Sequence, residues 1–361
     1  MKKIMVILFF LILAAPNLVG KALKADVLTE EEKEMENRQI REFPQISGEN
    51  WQEAPAMVEE YINDHAPWRG KLLDAYASFN WDVLGSVDNR EVLRGKDGWL
   101  FYKQDDSVED AIGIVVYNES HMRQVLERLL AARERCTDHP DQFILLIAPN
   151  KEQVCSQYMP ESYKKVTDTS TAKELVAYIR EHSDIKVVYP LEELKEAAEE
   201  TGINVYHKTD THWNEAGGFV GVMAIVEALG EEAVPLREVE IQWVPDAIRG
   251  DLAKQVHIPQ AYIDDPYADI TPWVNSPEAA KKRGDRENRR IVVVGDSFRV
   301  GLIPGMNWYF GDVFMVDQPF VTKADPDLLK GDIFVYEIVE RCLNDLDRFD
   351  RFLAAVSQET P

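Results

Sequence analysis

The sequence predicts an α/β fold in which a mostly parallel sheet carries helices on both faces. Short apolar runs alternate with helical segments from Ser120 onward, as in chains built from repeated strand and helix units. One run, residues 291–294, contains only β-branched residues, which is typical of a strand buried on both faces. It leads directly into Gly295-Asp296-Ser297, three turn formers that end the strand. Ser297 is therefore predicted at the carboxyl edge of a central strand, where ligands and catalytic groups collect in open α/β sheets.

The N-terminus predicts export. Lys2 and Lys3 precede an apolar run over residues 4–15, which is the pattern of a signal peptide. The run is shorter than the roughly 20 residues of a comfortable membrane span. Residues 1–25 are therefore expected to be a signal peptide or a membrane anchor, with cleavage left open. The protein is expected outside the cytoplasm, either secreted or anchored to the outer face of the cytoplasmic membrane.

Residues 26–80 are expected to form a linker and a helical extension. The linker, up to about Arg41, is charged and poor in large apolar residues. Two amphipathic helical runs follow between residues 51 and 81, interrupted by a proline. Asp64 and His65 lie just before that proline. A role in satisfying backbone groups at the helix end is preferred over a second catalytic pair.

The main domain is predicted over residues 81–361. It begins with a hairpin whose turn contains Gly95 and Gly98, glycines that supply positive φ angles. The strands are then expected at residues 143–148, 187–189, 291–294, 313–316 and 333–336. The helices among them are a segment capped by Ser120 and continuing to Leu130, then residues 171–180, 191–200 and 215–229. In the last helix Asn214 is the predicted N-cap, and Gly230 follows the end.

A long insertion is predicted between residues 238 and 287, just before the strand that leads to Ser297. It contains five prolines and several aromatic residues, among them Trp243 and Trp273. Long ordered loops are commonly functional, so these aromatics are compatible with a lid that stacks on sugars. The preferred interpretation is that they form a small core of the insertion itself.

Composition limits the classes of function. The net charge is −24 and the pI is near 4.7, which argues against a nucleic-acid partner, because phosphates demand a basic face. Three cysteines, Cys136, Cys155 and Cys342, are too few for a disulfide framework and lack the spacing of a zinc site. A pair between Cys136 and Cys155 remains open, although three buried free thiols are the simpler expectation.

A second segment supplies the groups that a nucleophilic Ser297 needs. Serine is a weak nucleophile, so it requires a base, and the base requires a group that fixes its tautomer. Asp210 and His212 are two residues apart, and in an extended segment alternate residues face the same side. This spacing predicts a Ser297, His212 and Asp210 triad. A structural histidine beside the following helix is the alternative, while a metal site lacks a third ligand at a recognisable spacing.

Together these segments resemble the SGNH-hydrolase-like alginate O-acetyltransferases of the AlgX/AlgJ kind and the related DHHW proteins. The resemblance extends over nearly the whole chain after the N-terminus. Besides Asp210-Thr211-His212-Trp213 and Gly295-Asp296-Ser297, it rests on blocks at residues 63–69, 94–101, 147–152 and 335–341. Six blocks in one order are far more specific than any one of them. The fold implied is an SGNH-like sheet with an N-terminal extension and a long insertion before the nucleophile strand.

The resemblance implies an O-acetyltransferase that acts on a cell-surface or secreted polysaccharide through an acetyl-enzyme. It also implies a membrane-bound O-acyltransferase as the partner that supplies acetyl groups, and it implies no cofactor. Two other classes stay open. The same triad would serve a carbohydrate esterase if water were the acceptor, and an idle triad would suit a glycan-binding or assembly protein. The presence of Asp210, His212 and Ser297 together argues against the idle site.

Further site candidates are assigned from their positions along the chain. The backbone N–H of Ser297 is the first donor expected for an oxyanion. Side-chain candidates for the oxyanion or the substrate are Asn150, Arg299, Tyr336 and Arg341, although the two arginines are equally compatible with structural ion pairs. Trp213 is expected to pack against His212 and restrict the imidazole, in preference to stacking on a sugar ring.

Overall fold

A computed structural model describes residues 41–66, 69–87, 89–137, 139–245, 249–283 and 289–357. The predicted signal or anchor segment, most of the predicted linker and the break at Pro67 lie outside these residues. Within the described ranges no helix has both the length and the apolar character needed to cross a membrane. The chain divides into two compact units, the smaller containing the residues up to Asn89 together with Asp251–Ile263.

The strands and helices are numbered here in chain order. The strands are β1 Val92–Arg94, β2 Leu100–Tyr102, β3 Phe143–Ala148, β4 Lys186–Val188, β5 Gln242–Val244, β6 Tyr267–Asp269, β7 Arg290–Gly295, β8 Asp312–Asp317 and β9 Ile333–Val339. The helices are α1 Ala54–Asp64, α2 Arg69–Phe79, α3 Ser107–Ala111, α4 Glu119–Cys136, α5 Lys151–Val154, α6 Thr171–His182, α7 Leu191–Thr201, α8 Glu215–Ala228, α9 Asp251–Gln255, α10 Thr271–Val274, α11 Pro277–Arg283, α12 Arg299–Tyr309 and α13 Leu346–Val356.

The smaller unit contains α1, α2 and α9, and α2 continues into a wider helical turn over Asn80–Leu84. Asp64 is buried at the end of α1, where its carboxylate accepts a hydrogen bond from the Arg41 backbone N–H at 2.9 Å. The His65 ring stacks on Tyr61 and lies 2.9 Å from that residue's carbonyl oxygen through Nδ1. Both side chains therefore satisfy backbone groups, as the preferred structural interpretation of this pair requires.

The larger unit is built on a five-stranded sheet in the order β4, β3, β9, β7, β8, and every pair in it is parallel. The predicted α/β class with a parallel sheet is therefore confirmed. All five predicted strands are present within one or two residues of their expected bounds, except that β9 extends to Val339. The sheet is central because β3, β7 and β9 are buried along almost their whole length.

Helices cover both faces of this sheet. Alternate side chains such as Ile144, Val293 and Val335 pack with α7, α8 and α12 in one apolar layer. The intervening side chains, such as Leu145 and Val292, pack with α4, α6 and α13 in the other. This division is the expected result of a strand period of two, which sends successive side chains to opposite faces.

Helices α8 and α12 cross at two glycines, and this crossing positions the site. A Cβ on Gly218 would overlap the backbone carbonyl of Gly301, and a Cβ on Gly301 would overlap the Trp213 indole. Only glycine permits so close an approach of two backbones. Because α8 begins just after His212 and α12 begins just after Ser297, the crossing brings the N-terminal ends of both helices together.

The structure corrects three expectations of detail. Helix α4 is capped by Asn118, whose side chain accepts a hydrogen bond from the Ser120 backbone N–H, so Ser120 lies inside the helix. In the insertion, β5 and β6 form an antiparallel pair, but Trp273 packs against Phe219 and Trp308 in the main core. Its indole is 3% exposed, so Trp273 is neither part of a sugar lid nor part of a separate small core.

The three cysteines are free thiols. Cys136 and Cys155 belong to opposite apolar layers of the sheet, which excludes a disulfide between them. Burial raises the pKa of Cys155 to about 12, so its thiol is protonated and packs as a small apolar group.

Candidate active site

Ser297 lies in the tight turn between β7 and α12. The turn is held by Asp296, whose carboxylate accepts hydrogen bonds from the backbone N–H groups of Phe298 and Val339, both at 2.9 Å. Asp296 is 7% exposed, whereas the next residue, Ser297, is at the surface. The strand and the carboxylate beneath the turn therefore present the Ser297 hydroxyl at the carboxyl edge of the sheet, as predicted.

The three predicted triad residues lie in one hydrogen-bonded chain. His212 Nε2 is 2.7 Å from Ser297 Oγ, and His212 Nδ1 is 2.6 Å from Asp210 Oδ1. The same carboxylate oxygen also accepts a hydrogen bond from the His212 backbone N–H at 3.0 Å. Asp210 thus contacts both the ring and the backbone of His212, which fixes the orientation of the imidazole. With a proton on Nδ1, Nε2 is the ring nitrogen that accepts the Ser297 proton.

The segment from His207 to Trp213 carries Asp210 and His212 but contains no extended strand. An isolated bridge joins Tyr206 to Trp213, and the His207 backbone N–H donates to the His212 carbonyl at 3.2 Å. Within it, the backbone N–H and the hydroxyl of Thr209 both donate to buried Asp265, each at 3.0 Å. Burial lowers the pKa of His207, so this second imidazole is neutral at pH 7.

Trp213 packs against Phe298, with 5.5 Å between the ring centroids. Its indole is 2% exposed and donates to the Phe298 carbonyl at 2.7 Å. The Phe298 ring in turn lies 4.7 Å from the His212 ring between centroids. Trp213 therefore ties the segment that carries His212 to the turn that carries Ser297, and it offers no open face on which a sugar ring could stack.

Asn150 and Arg341 lie beside each other where β3 and β9 end. The Asn150 side-chain oxygen accepts a hydrogen bond from the Arg341 backbone N–H at 3.1 Å. Asn150 is fully buried, and within the described ranges its Nδ2 has no hydrogen-bond partner. The Arg341 guanidinium lies over the rings of Tyr102 and Phe298, at 5.1 and 5.3 Å from their centroids. This places a cation against the aromatic neighbour of Ser297.

Two further candidates are not available to a substrate in this geometry. The Arg299 guanidinium donates to the Asp296 carbonyl at 2.8 Å and pairs with Asp317 at 3.4 Å, so it supports the turn from below. Tyr336 is fully buried and stacks on Phe352 at 4.1 Å in the core. Its hydroxyl does not reach the surface on which Ser297 lies. The expectation that Tyr336 contacts the oxyanion or substrate is therefore wrong.

Comparison with known proteins gives a family match that covers the site. A family model described as "SGNH hydrolase-like domain, acetyltransferase AlgX" matches residues 92–310, which is more than half of the chain. The probable alginate O-acetylase AlgJ of Pseudomonas putida is 25% identical over 145 residues, 40% of this chain and 35% of the relative. The matched segment thus spans about a third of the length of that curated relative.

Solved structures of similar proteins have low sequence identity. The O-acetyltransferase domain of Pseudomonas putida AlgJ is 17% identical with a TM-score of 0.49, and the alignment covers 75% of this chain and 100% of that one. Pseudomonas aeruginosa AlgX is 15% identical with a TM-score of 0.48, covering 74% and 67%. A DHHW family protein from Eubacterium siraeum is 12% identical with a TM-score of 0.46, covering 76% and 97%.

Proposed function

The chain belongs to the family of AlgX-type acetyltransferases with an SGNH hydrolase-like domain, and from this premise we propose that it transfers acetyl groups to the hydroxyls of a polysaccharide. The observation that supports the proposal most is the unbroken chain of short contacts from Asp210 through His212 to an exposed Ser297. The name of the Pseudomonas putida relative, a probable alginate O-acetylase, favours a polysaccharide acceptor.

The proposed reaction consists of two acyl transfers. Ser297 Oγ attacks the carbonyl carbon of the acetyl donor while its proton passes to His212 Nε2. The tetrahedral intermediate collapses when the leaving oxygen takes that proton, and Ser297 is left as an acetyl ester. A sugar hydroxyl then attacks the ester and gives its proton to His212, which returns it to Ser297 Oγ. Throughout, Asp210 stabilises the imidazolium and holds it in position.

Donors for the oxyanion are ranked by position. The backbone N–H of Ser297 belongs to the same residue as the attacking Oγ and therefore lies close to the oxyanion. It is the donor that we propose first. Asn150 is the second, because its Nδ2 lacks a partner among the described residues, although the amide is covered in this conformation. Arg341 is proposed to contact the substrate, because its guanidinium lies on the Phe298 ring beside the nucleophile.

The test is to incubate the purified chain with p-nitrophenyl acetate and then with acetylated and unacetylated polysaccharides. Wild type is compared with Ser297→Ala and with a control, Ser156→Ala, at an exposed serine outside the site. We expect a mass gain of one acetyl group on Ser297, its loss in Ser297→Ala only, and transfer to a glycan. Release of acetate without transfer would indicate an esterase instead. The absence of any acetyl-enzyme would favour a glycan-binding or assembly role.

We also propose that the protein works outside the cytoplasm and receives acetyl groups from a membrane-bound O-acyltransferase. The support for the location is the sequence of residues 1–25, in which Lys2 and Lys3 precede an apolar run. The support for the partner is the family resemblance. A reporter enzyme that is active only outside the cytoplasm, fused after residue 361, tests the location, and an inactive fusion would contradict it.

A further inference from the structure

A buried lysine lies directly behind the segment that carries Asp210. Lys151 is the first residue of α5, just after β3 ends, and its side chain is 2% exposed. Its ammonium group donates to three backbone carbonyls, those of Leu100 at 2.6 Å, Lys208 at 2.8 Å and Asp210 at 2.9 Å. One side chain therefore joins the second strand of the hairpin to both ends of the stretch from Lys208 to Asp210.

These contacts use the full hydrogen-bonding capacity of the side chain, because an ammonium group has three N–H donors and no acceptor. The Nζ atom also lies 5.0 Å from the Trp99 ring centroid and 5.3 Å from that of Phe101. Carbonyl dipoles and ring faces thus replace water around the charge. Burial lowers the pKa of Lys151. A charged side chain is rarely buried unless its partners are in place.

The stretch needs such a support because regular secondary structure supplies little. Within it, Thr209 is held by Asp265, and the Leu100 backbone N–H donates to the Lys208 carbonyl at 2.9 Å. The Asp210 carboxylate is hydrogen-bonded to His212. A separate group is therefore needed to hold the Asp210 backbone in place. The Lys151 ammonium contacts the Asp210 carbonyl and therefore restrains the backbone of this residue, while the Asp210 carboxylate contacts His212.

We propose that Lys151 is a positioning residue that acts through Asp210, holding its backbone so that the carboxylate meets His212 Nδ1. This inference rests on the proposed function, in which Asp210 orients the catalytic base. It assigns a role to a residue that touches neither the substrate nor the reacting atoms. A displacement of the orienting group by about 1 Å is enough to reduce turnover by roughly a hundredfold.

The experiment compares Lys151→Met and Lys151→Gln with wild type in the full chain. Methionine matches the length but has no donor, while glutamine keeps two N–H donors without charge. Leu129→Ala is the control, because Leu129 is fully buried in the other apolar layer and its loss destabilises the fold without touching the site. Folding is checked by circular dichroism and thermal melting.

Two readouts separate a local role from general destabilisation. With p-nitrophenyl acetate we expect kcat to fall tenfold to a hundredfold in Lys151→Met and less in Lys151→Gln, with KM unchanged. By proton NMR we expect the low-field signal of His212 Nδ1–H, bonded to Asp210, to weaken in both variants. Leu129→Ala is expected to keep the signal and the turnover of wild type.

The outcomes are distinct. A folded variant with wild-type turnover, or with an unchanged low-field signal, would overturn the proposal. So would an equal fall of turnover in Leu129→Ala, or a failure of both Lys151 variants to fold, since either result would give Lys151 a role in the whole sheet. If wild type forms no acetyl-enzyme, the proposed function fails, while the NMR signal still decides whether Lys151 positions Asp210.

Discussion

The two segments that carry the candidate triad are held in different ways. The turn with Ser297 connects β7 directly to α12, and the Asp296 carboxylate within it accepts two backbone hydrogen bonds. Arg299 and Trp213 donate further hydrogen bonds to carbonyls of the turn. The segment with Asp210 and His212 is irregular and is held by distant side chains, Lys151 and Asp265. Ser297 is thus placed mainly by the strand and the helix that flank it, whereas Asp210 and His212 are placed by buried polar contacts over long sequence separations.

The largest expected effect on turnover comes from replacing the orienting carboxylate of the irregular segment. Asp210→Asn keeps the shape but places an amide beside Nδ1, which favours the wrong imidazole tautomer. We expect kcat for acetyl transfer to fall by about 10⁴ with the melting temperature nearly unchanged. The control is Asp264→Asn, at an exposed carboxylate that pairs with Lys208 at 3.9 Å. Turnover within tenfold of wild type would remove Asp210 from the triad.

This comparison also explains what the sequence predicts and what it does not. The strands are predictable because runs such as residues 291–294 are β-branched and uninterrupted, and Ser297 follows from where one of them ends. The pairing of Asp210 with His212 is predicted from an extended segment, whereas the segment is irregular and the Asp210 carboxylate also accepts a hydrogen bond from the His212 backbone N–H. The contacts of Lys151 and Asp265 are not predictable, because a single buried charged side chain that bonds to backbone groups far along the chain leaves no periodic pattern. The expectation for Tyr336 is wrong for a different reason: the residue lies within the buried strand β9 and not after its end, so its ring packs in the core.

The second effect tests whether the two segments depend on the crossing of α8 and α12. Gly218→Ala would place a methyl group against the Gly301 carbonyl and force the helices apart. We expect a loss of about 1–3 kcal/mol in the free energy of unfolding and a fall in kcat of roughly a hundredfold, because His212 would move from Ser297.

The control for this variant is Gly48→Ala, where a Cβ has no heavy atom within 4 Å. Denaturant unfolding gives the stability, and acetyl-enzyme formation gives the turnover. If Gly218→Ala loses stability but keeps turnover, then the crossing supports only the core, and the two segments are positioned independently of it.

The third effect concerns Asp265, the side chain that accepts hydrogen bonds from Thr209 in the irregular segment. In Asp265→Ala the Thr209 backbone N–H and hydroxyl lose their acceptor, which costs about 1–3 kcal/mol for a buried donor. We expect about a tenfold fall in kcat, because Thr209 immediately precedes Asp210. Asp269→Ala, at a half-buried carboxylate further along the chain, is the control. Equal turnover in the two variants would mean that the segment holds its shape without Asp265.

The smallest effect on turnover is expected from replacing Glu337, a residue of β9 that lies beneath the turn with Ser297. This carboxyl is buried against Gly295, and burial together with Asp296 raises its pKa well above the usual 4.5. The raised pKa favours the neutral acid in the folded chain, so Glu337→Gln, which is also neutral, should leave kcat at pH 7 within about twofold of wild type. A change of more than tenfold would mean that the turn depends on this acid, against the view that strand and helix place Ser297.

The same replacement has a pH dependence of stability whose sign follows from the raised pKa. Above pH 4.5 the unfolded chain releases the Glu337 proton while the folded chain keeps it, so the stabilising contribution falls as pH rises towards the raised pKa. Wild type should lose stability relative to Glu337→Gln by up to about 1.4 kcal/mol per pH unit as the pH rises above 4.5 towards the raised pKa. Denaturant unfolding of both proteins across this range measures the difference. A constant difference would mean that Glu337 ionises alike in the folded and unfolded chain, and the acid under the nucleophile turn would then be charged rather than neutral.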